Sequence, residues 1–217
     1  MEVKIKDPMS ALTHFIGALL SLVAVTSLVM KAYYMGNTLY MLAFGIFGTS
    51  LVLLYSASTI YHIVARPKKI SKLLKRVDHM MIFILIAGTY TPVCLIPLDA
   101  ASGNSTGVAI LVVVWCAAIL GIFTKIVWIN APRWLSTAQY ILMGWIAIFA
   151  ILPLFKTMNE AGFIWLIAGG VIYTLGGLIY ATKWPKLNFK WFGFHEVFHL
   201  FVLGGSLCHY FMILSFI

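Results

Sequence analysis

The chain has 217 residues, of which 62% are hydrophobic and 10% charged, with a mean hydropathy of +1.00. Soluble domains carry roughly 25% charged residues, so a soluble enzyme is excluded, and the formal charge of +9 finds no polar face on which to gather for nucleic-acid binding. A bilayer core about 30 Å thick takes roughly 20 apolar residues per helix, so spans are expected to consume most of the length and to form a single membrane domain over residues 1–217.

Seven apolar runs follow in chain order. Ala11 to Met30 is longer than the hydrophobic segment of a secretory signal and is closed by no small-residue cleavage site, so it is read as the first helix. Thr38 to Val64, and Phe192 to Ile217 at the end of the chain, exceed the minimum length and are expected to tilt or protrude. Met80 to Leu98 contains Pro92, and Trp134 to Phe155 contains Pro153. Each proline predicts a kink or a helix end, because it lacks the amide donor. Gly107 to Trp128 lies between these two runs. Ala161 to Thr182 carries Gly169, Gly170, Gly176 and Gly177, small enough for a neighbouring backbone to come close. Tyr33, Tyr34, Trp128, Trp134, Trp184 and Trp191 fall at the expected ends, at headgroup level. Cys94, Cys116 and Cys208 lie in apolar stretches, odd in number and without metal-type spacing, and are expected to be buried thiols.

Short cytoplasmic connections retain lysine and arginine. Lys4 and Lys6 precede the first run; Arg66, Lys68, Lys69, Lys72, Lys75 and Arg76 form a basic loop between the second and third. Lys125 and Arg133 flank the next such connection, and Lys183, Lys186 and Lys190 precede the last run. Lys31 and Lys156 alone fall on the other side. The expected architecture is an all-α integral membrane protein, a seven-transmembrane helix bundle with its N-terminus cytoplasmic and its C-terminus outside. It resides in the cell membrane as a multi-pass protein, with membrane lipids as its partners.

Ionisable side chains inside a bilayer are costly, so the polar residues of the runs are the functional candidates. His195 and His199 are one turn apart on one face of the last helix, an arrangement that suits a metal ion or, alternatively, two neutral rings bonded to backbone or headgroups. His62 lies just before the basic loop and shares a depth with His195, both roughly 6 to 8 Å from the nearest basic anchors at about 1.5 Å per residue. Three neutral imidazoles and a water make the open tetrahedral site of catalytic zinc, which lowers the pKa of that water to about 7. Asp78 then fits as the carboxylate that holds the water and takes its proton, the alternative being an ion pair with Arg76 or Lys75. Ser58 is one turn before His62 on the same face, placed to steady an oxyanion or to bond its own helix. His14 is a partner of the site or a headgroup-level residue. His79 is expected to point about 100° away from Asp78, toward solvent or headgroups. His209 lies roughly 15 Å beyond His199 and is out of reach of that metal. Glu196 falls between the pair and off their face.

Over the whole chain, these residues resemble the hemolysin III proteins, bacterial members of the progestin and adipoQ receptor superfamily and distant relatives of alkaline ceramidases. The likeness rests on LTHFIG at Leu12 to Gly17, SASTIYH ending at His62, Asp78 after the basic stretch, GTYTP at Gly88 to Pro92, and HEVFH at His195 to His199. The resemblance implies a seven-helix bundle holding zinc by His62, His195 and His199, with Asp78 placing a water and Ser58 nearby. It also implies hydrolase chemistry of the kind the ceramidase relatives perform on a lipid amide. The hemolysin name suggests cytolysis, while bacterial relatives look more like proteins of membrane-lipid homeostasis. The family often carries an acidic residue and an asparagine just before the first-helix histidine, where this chain has Pro8, Met9 and Ser10.

The leading expectation is a zinc-dependent intramembrane hydrolase of a lipid amide or ester, with Asp78 and Ser58 in the catalytic machinery. A non-enzymatic regulator or receptor with structural zinc is the alternative. A pore is disfavoured because the polar groups gather in one leaflet. A retinal protein is disfavoured because Phe192 to Ile217 contains no lysine for a Schiff base.

Overall fold

The computed structural model describes residues 5–64, 67–102, 105–187, 189 and 191–217. Seven helices long and apolar enough to cross a membrane run Pro8–Tyr34, Thr38–Ile63, Lys68–Ala100, Thr106–Val127, Arg133–Thr157, Glu160–Thr182 and Phe194–Leu214, here the first to seventh spans. The chain is a multi-pass all-α membrane protein, and among the described residues the only β feature is an isolated bridge from Ile5 to Val64. Lys4, Arg66 and Lys190, which helped orient the chain, lie outside the described residues. The other basic residues from Lys6 to Lys186 gather at one end of the bundle, and Lys31 and Lys156 stand at the other.

Local chemistry sets the ends of the spans. Asn37 and Asn159 cap the second and sixth, their side chains accepting the amides of Tyr40 (3.1 Å) and Gly162 (2.7 Å). Gly36, at φ +66°, makes the turn between the first two spans in a conformation that a side chain would disfavour. The stretch expected as a basic loop is different. The third helix already begins at Lys68, directly after Pro67, so Lys68, Lys69, Lys72, Lys75 and Arg76 ride on helical turns. Lysine, leucine and arginine are good helix formers, and proline is tolerated just ahead of a helix.

The two prolines act in different places. Pro92 lies inside the helix Lys68–Leu95, which stops one residue short of Ile96 before a short helix, Pro97–Ser102, resumes. The fifth span breaks not at Pro153 but ahead of it: helix Arg133–Gly144 passes into a 3-10 stretch, Trp145–Ala150, and then into Ile151–Thr157. A proline ring displaces the carbonyl four residues earlier, so its effect falls on the preceding turn. Tyr90 of the third span fills the gap, donating its hydroxyl to the Gly144 carbonyl (2.6 Å) and accepting from the Ala147 amide (2.7 Å).

The first span packs mainly on the second and the sixth on the seventh, while the third is the most buried. In the sixth span, Gly169 faces His209, Gly176 faces Phe201 and Gly177 faces Thr137 and Ile141, whereas Gly170 faces open space. Ser206 ties the second, sixth and seventh spans together through hydroxyl contacts with Tyr55 (2.6 Å) and Tyr173 (2.8 Å). Cys94 and Cys208 are buried as expected. Cys116 is exposed on the outside of the bundle, because an apolar run gives no sign of which face looks at lipid.

Candidate metal centre

His62 sits in the last turn of the second span and His195 and His199 in the first turns of the seventh, so the site lies where these two helix ends meet. One ring nitrogen from each of the three lies within 4.8 Å of the others, a group that can hold a metal ion. His62 Nε2 and His195 Nε2 are 3.4 Å apart. Two nitrogens each about 2.0–2.1 Å from a tetrahedral ion lie roughly 3.3 Å from one another, so this pair already has ligand spacing. His62 and His199 are each 2% exposed, and the donor set is three nitrogen ligands with no competing carboxylate among them.

The other nitrogen of two of these rings is held from outside. His62 Nδ1 faces Asp7 Oδ2 at 3.0 Å, and Asp7 is also paired with Lys6 Nζ at 3.2 Å. The backbone fixes this clamp, because the amide of Asp7 donates to the carbonyl of His62 (3.0 Å). Burial alone would raise the Asp7 carboxyl, but the hydrogen bonds from His62 and Lys6 outweigh it and hold the group below its ordinary range. An Nδ1–H donated to a carboxylate leaves Nε2 as the free lone pair, the tautomer a metal ligand requires. Thr13 Oγ1 lies 3.3 Å from His199 Nδ1. Neither Asp7 nor Thr13 was found by reading the sequence. The only signal was an acidic residue directly ahead of the first-span proline, and nothing local linked it to a histidine 55 positions away.

Asp78 and Ser58 face the same space. Both line a cavity of about 160 Å³ whose wall also includes His195 and His199. Asp78 forms no ion pair with Arg76 or Lys75 among the described residues. His79 departs from its expected outward direction and lines the same cavity, with its carbonyl accepting from Tyr140 (3.3 Å). His14 lines the same cavity. It is 3% exposed, and its ring stacks on His199 with centroids 3.6 Å apart and planes 9° from parallel. His209 lies at the far end of the cavity, its Nδ1 bonded to the Gly205 carbonyl (2.8 Å), outside the three-histidine group as expected. Glu196 caps its own helix by accepting the Gly193 amide (2.8 Å) and receives the Ser10 hydroxyl (2.6 Å), and it lies outside the three-histidine group.

The sequence profile of the family described as Haemolysin-III related matches residues 3–210. The chain belongs to the haemolysin-III related family. This haemolysin-III protein is 40% identical over 207 residues to the hemolysin-3 homolog of Bacillus subtilis (strain 168), covering 95% of the present chain and 92% of that one. It is equally 40% identical, over 208 residues, to hemolysin-3 of Bacillus cereus, covering 96% and 90%. A shorter stretch of 61 residues is 36% identical to the adiponectin receptor protein of Drosophila melanogaster, covering 26% of the haemolysin-III chain and 14% of the receptor. That match ties the family to the progestin and adipoQ receptor superfamily.

Proposed function

We propose that this protein is a zinc-dependent intramembrane hydrolase that cleaves an amide or ester of a membrane lipid and thereby serves membrane-lipid homeostasis. The observation that carries the reading is the three-imidazole group beside the Ser58 and Asp78 pair on the wall of a cavity inside the bundle. Three neutral nitrogens on His62, His195 and His199 suit zinc, which when bound acidifies a water and polarises a carbonyl. The positive-inside rule places this basic end of the bundle in the cytoplasm and the C-terminus outside.

Asp78 is the base in this reading. Its carboxylate takes the proton of the attacking water and returns it to the leaving amine or alcohol, while Ser58 fixes its orientation. The cavity wall beyond, with Leu85, Ile86 and Val202, is apolar and takes the acyl chain while excluding bulk water. The test is metal analysis of the detergent-purified protein together with lipid turnover by wild type and Asp78→Asn. The expected result is stoichiometric zinc in both, with turnover lowered by about 10² to 10⁴ in the variant. Wild type without zinc, or a variant with unchanged turnover, would remove the reading.

The stretch shared with the adiponectin receptor supports a second reading, a membrane regulator or receptor whose zinc is structural. The same measurement separates the two, since a structural site retains zinc with no turnover to lose. A pore, which the hemolysin-3 name suggests, calls for polar groups across the full membrane thickness. Here the histidines and the carboxylate that line the cavity gather at one end, apart from His209.

A further inference from the structure

His14 is 3% exposed and lines the cavity, yet neither of its ring nitrogens has a hydrogen-bond partner among the described residues. Its neighbours on the cavity wall are not left in this state: His199 Nδ1 faces the Thr13 hydroxyl, and His209 Nδ1 bonds the Gly205 carbonyl. A neutral imidazole carries one N–H donor and one lone pair. Leaving either unmet inside a protein is costly, and such groups are ordinarily paired.

The surrounding packing keeps the ring from finding a partner in the protein. On its own helix the neighbours one turn away are Ser10, Ala11, Gly17 and Ala18. Ser10 gives its hydroxyl to Glu196, its carbonyl accepts from Thr13, and the other three have no polar side chain. Across the bundle the ring stacks on His199, with centroids 3.6 Å apart and planes 9° from parallel, and meets Tyr55 at 5.1 Å and 80°. Gly17 admits that tyrosine, since a Cβ there would stand 2.8 Å from its ring, and the Tyr55 hydroxyl is engaged with Ser206. Held between two rings, His14 cannot turn without breaking the stack. The hydrogen bonds of an imidazole lie in the plane of its ring, and this plane runs beside that of His199. A partner of His14 therefore sits in the layer next to a candidate metal ligand, while His14 itself lies outside the three-histidine group.

We propose that His14 is a ligand-contacting residue of the cavity, its ring hydrogen-bonding an uncharged oxygen on the polar head of a lipid whose chain lies against the apolar wall of Leu54, Leu85, Ile86 and Val202. The stack on His199 fixes the direction of that bond, so the head is anchored next to the metal group by a side chain that does not ligate. The inference rests on the hydrolase reading only for the occupant being a lipid; it concerns binding and requires no bond to be cleaved.

The test uses probes with nothing to hydrolyse. Full-length protein in neutral detergent is titrated with oleyl alcohol and with cis-9-octadecene, which differ only in the hydroxyl, following the thermal unfolding midpoint. Wild type is expected to bind the alcohol saturably and about fivefold more tightly than the alkene, the worth of one neutral hydrogen bond. His14→Phe keeps a ring for the stack but no nitrogen, and is expected to bring the two probes to equal affinity. His14→Gln, which restores a donor and an acceptor, is expected to keep the preference. Thr89→Val removes a cavity hydroxyl that is already given to the Leu85 carbonyl, and is expected to leave the preference unchanged. Chelator-treated wild type is expected to keep it as well. Equal binding of the two probes by wild type, the result for a ring permanently bonded to water, overturns the inference without recourse to any variant that fails to fold. So does a preference that survives in His14→Phe, or one lost equally in Thr89→Val. A preference that disappears with chelator overturns it too, by placing the hydroxyl on the metal. Absence of zinc or of lipid turnover would remove the hydrolase reading and leave the His14 contact standing, whereas loss of the preference only in His14→Phe supports the contact whatever the metal does.

Discussion

His199 and His209 belong to one helix, both are buried, and both line the same cavity, yet they are held in different ways. At His199 three partners come from other helices: Thr13 faces Nδ1, His14 stacks on the ring, and His62 closes the other side together with His195 of the same helix. At His209 the Nδ1 bond goes to Gly205 of its own helix, and the ring lies between Tyr173 and Gly169. A bond to its own helix fixes a ring only relative to that helix. A bond from another element fixes it relative to other ligands, which is what coordination requires. One end of the cavity is built as a site and the other as packing.

The sharpest way to break that comparison is to remove each ring in turn. His199→Ala is expected to abolish stoichiometric metal and to lower the thermal midpoint to that of chelator-treated wild type, because binding energy at such a site is folding energy. His209→Phe is expected to retain the metal in full. Elemental analysis of both purified variants decides it, and metal lost from the His209 variant would mean that the two ends are not separate.

Next in size is the clamp on His62. Asp7→Asn keeps the shape but weakens the acceptor, and metal affinity is expected to fall by about 10- to 100-fold, read by competition with a chelator. A change under twofold would mean that the Asp7 contact does not orient the ligand. At the far end the expected loss falls on a different observable. Gly169 leaves no room for a Cβ beside the His209 ring, so Gly169→Ala is expected to cost about 1–3 kcal/mol of stability while metal affinity stays at the wild-type value. Reduced metal affinity in that variant would show the two ends to be coupled.

The contrast also explains which parts could be read in advance. The spans were legible because length and hydropathy alone define them, and the grouping of His62, His195 and His199 was legible because a polar group in a bilayer is conspicuous. Helix rotation was not. In water an apolar stripe marks the buried face, but in a membrane the lipid-facing and core-facing sides are both apolar. That is why His79 was directed outward and Cys116 inward, each opposite to its place in the bundle. Asp7 and Thr13 were missed for another reason. They meet His62 and His199 across sequence separations of 55 and 186 residues, and an exposed-looking acid at a helix entrance has a capping role by default. The fifth-span break was placed at its proline, whereas the steric effect falls a turn earlier.

The smallest effect is the most informative about how His199 is oriented. Thr13 has a single hydroxyl proton and donates it to the Ser10 carbonyl at 3.0 Å, so toward His199 it can only accept. His199 Nδ1 must then carry the proton, which leaves Nε2 with the lone pair for the metal. Thr13→Val removes the hydroxyl without changing the volume greatly and leaves Ser10 in place. Metal affinity is expected to fall by about two- to tenfold, the worth of one neutral hydrogen bond. A drop as large as that of Asp7→Asn would mean that Thr13 alone sets the tautomer. No change at all would mean that the Thr13 contact does not orient the ring, and that the stacked His14 is the first-span group that holds His199.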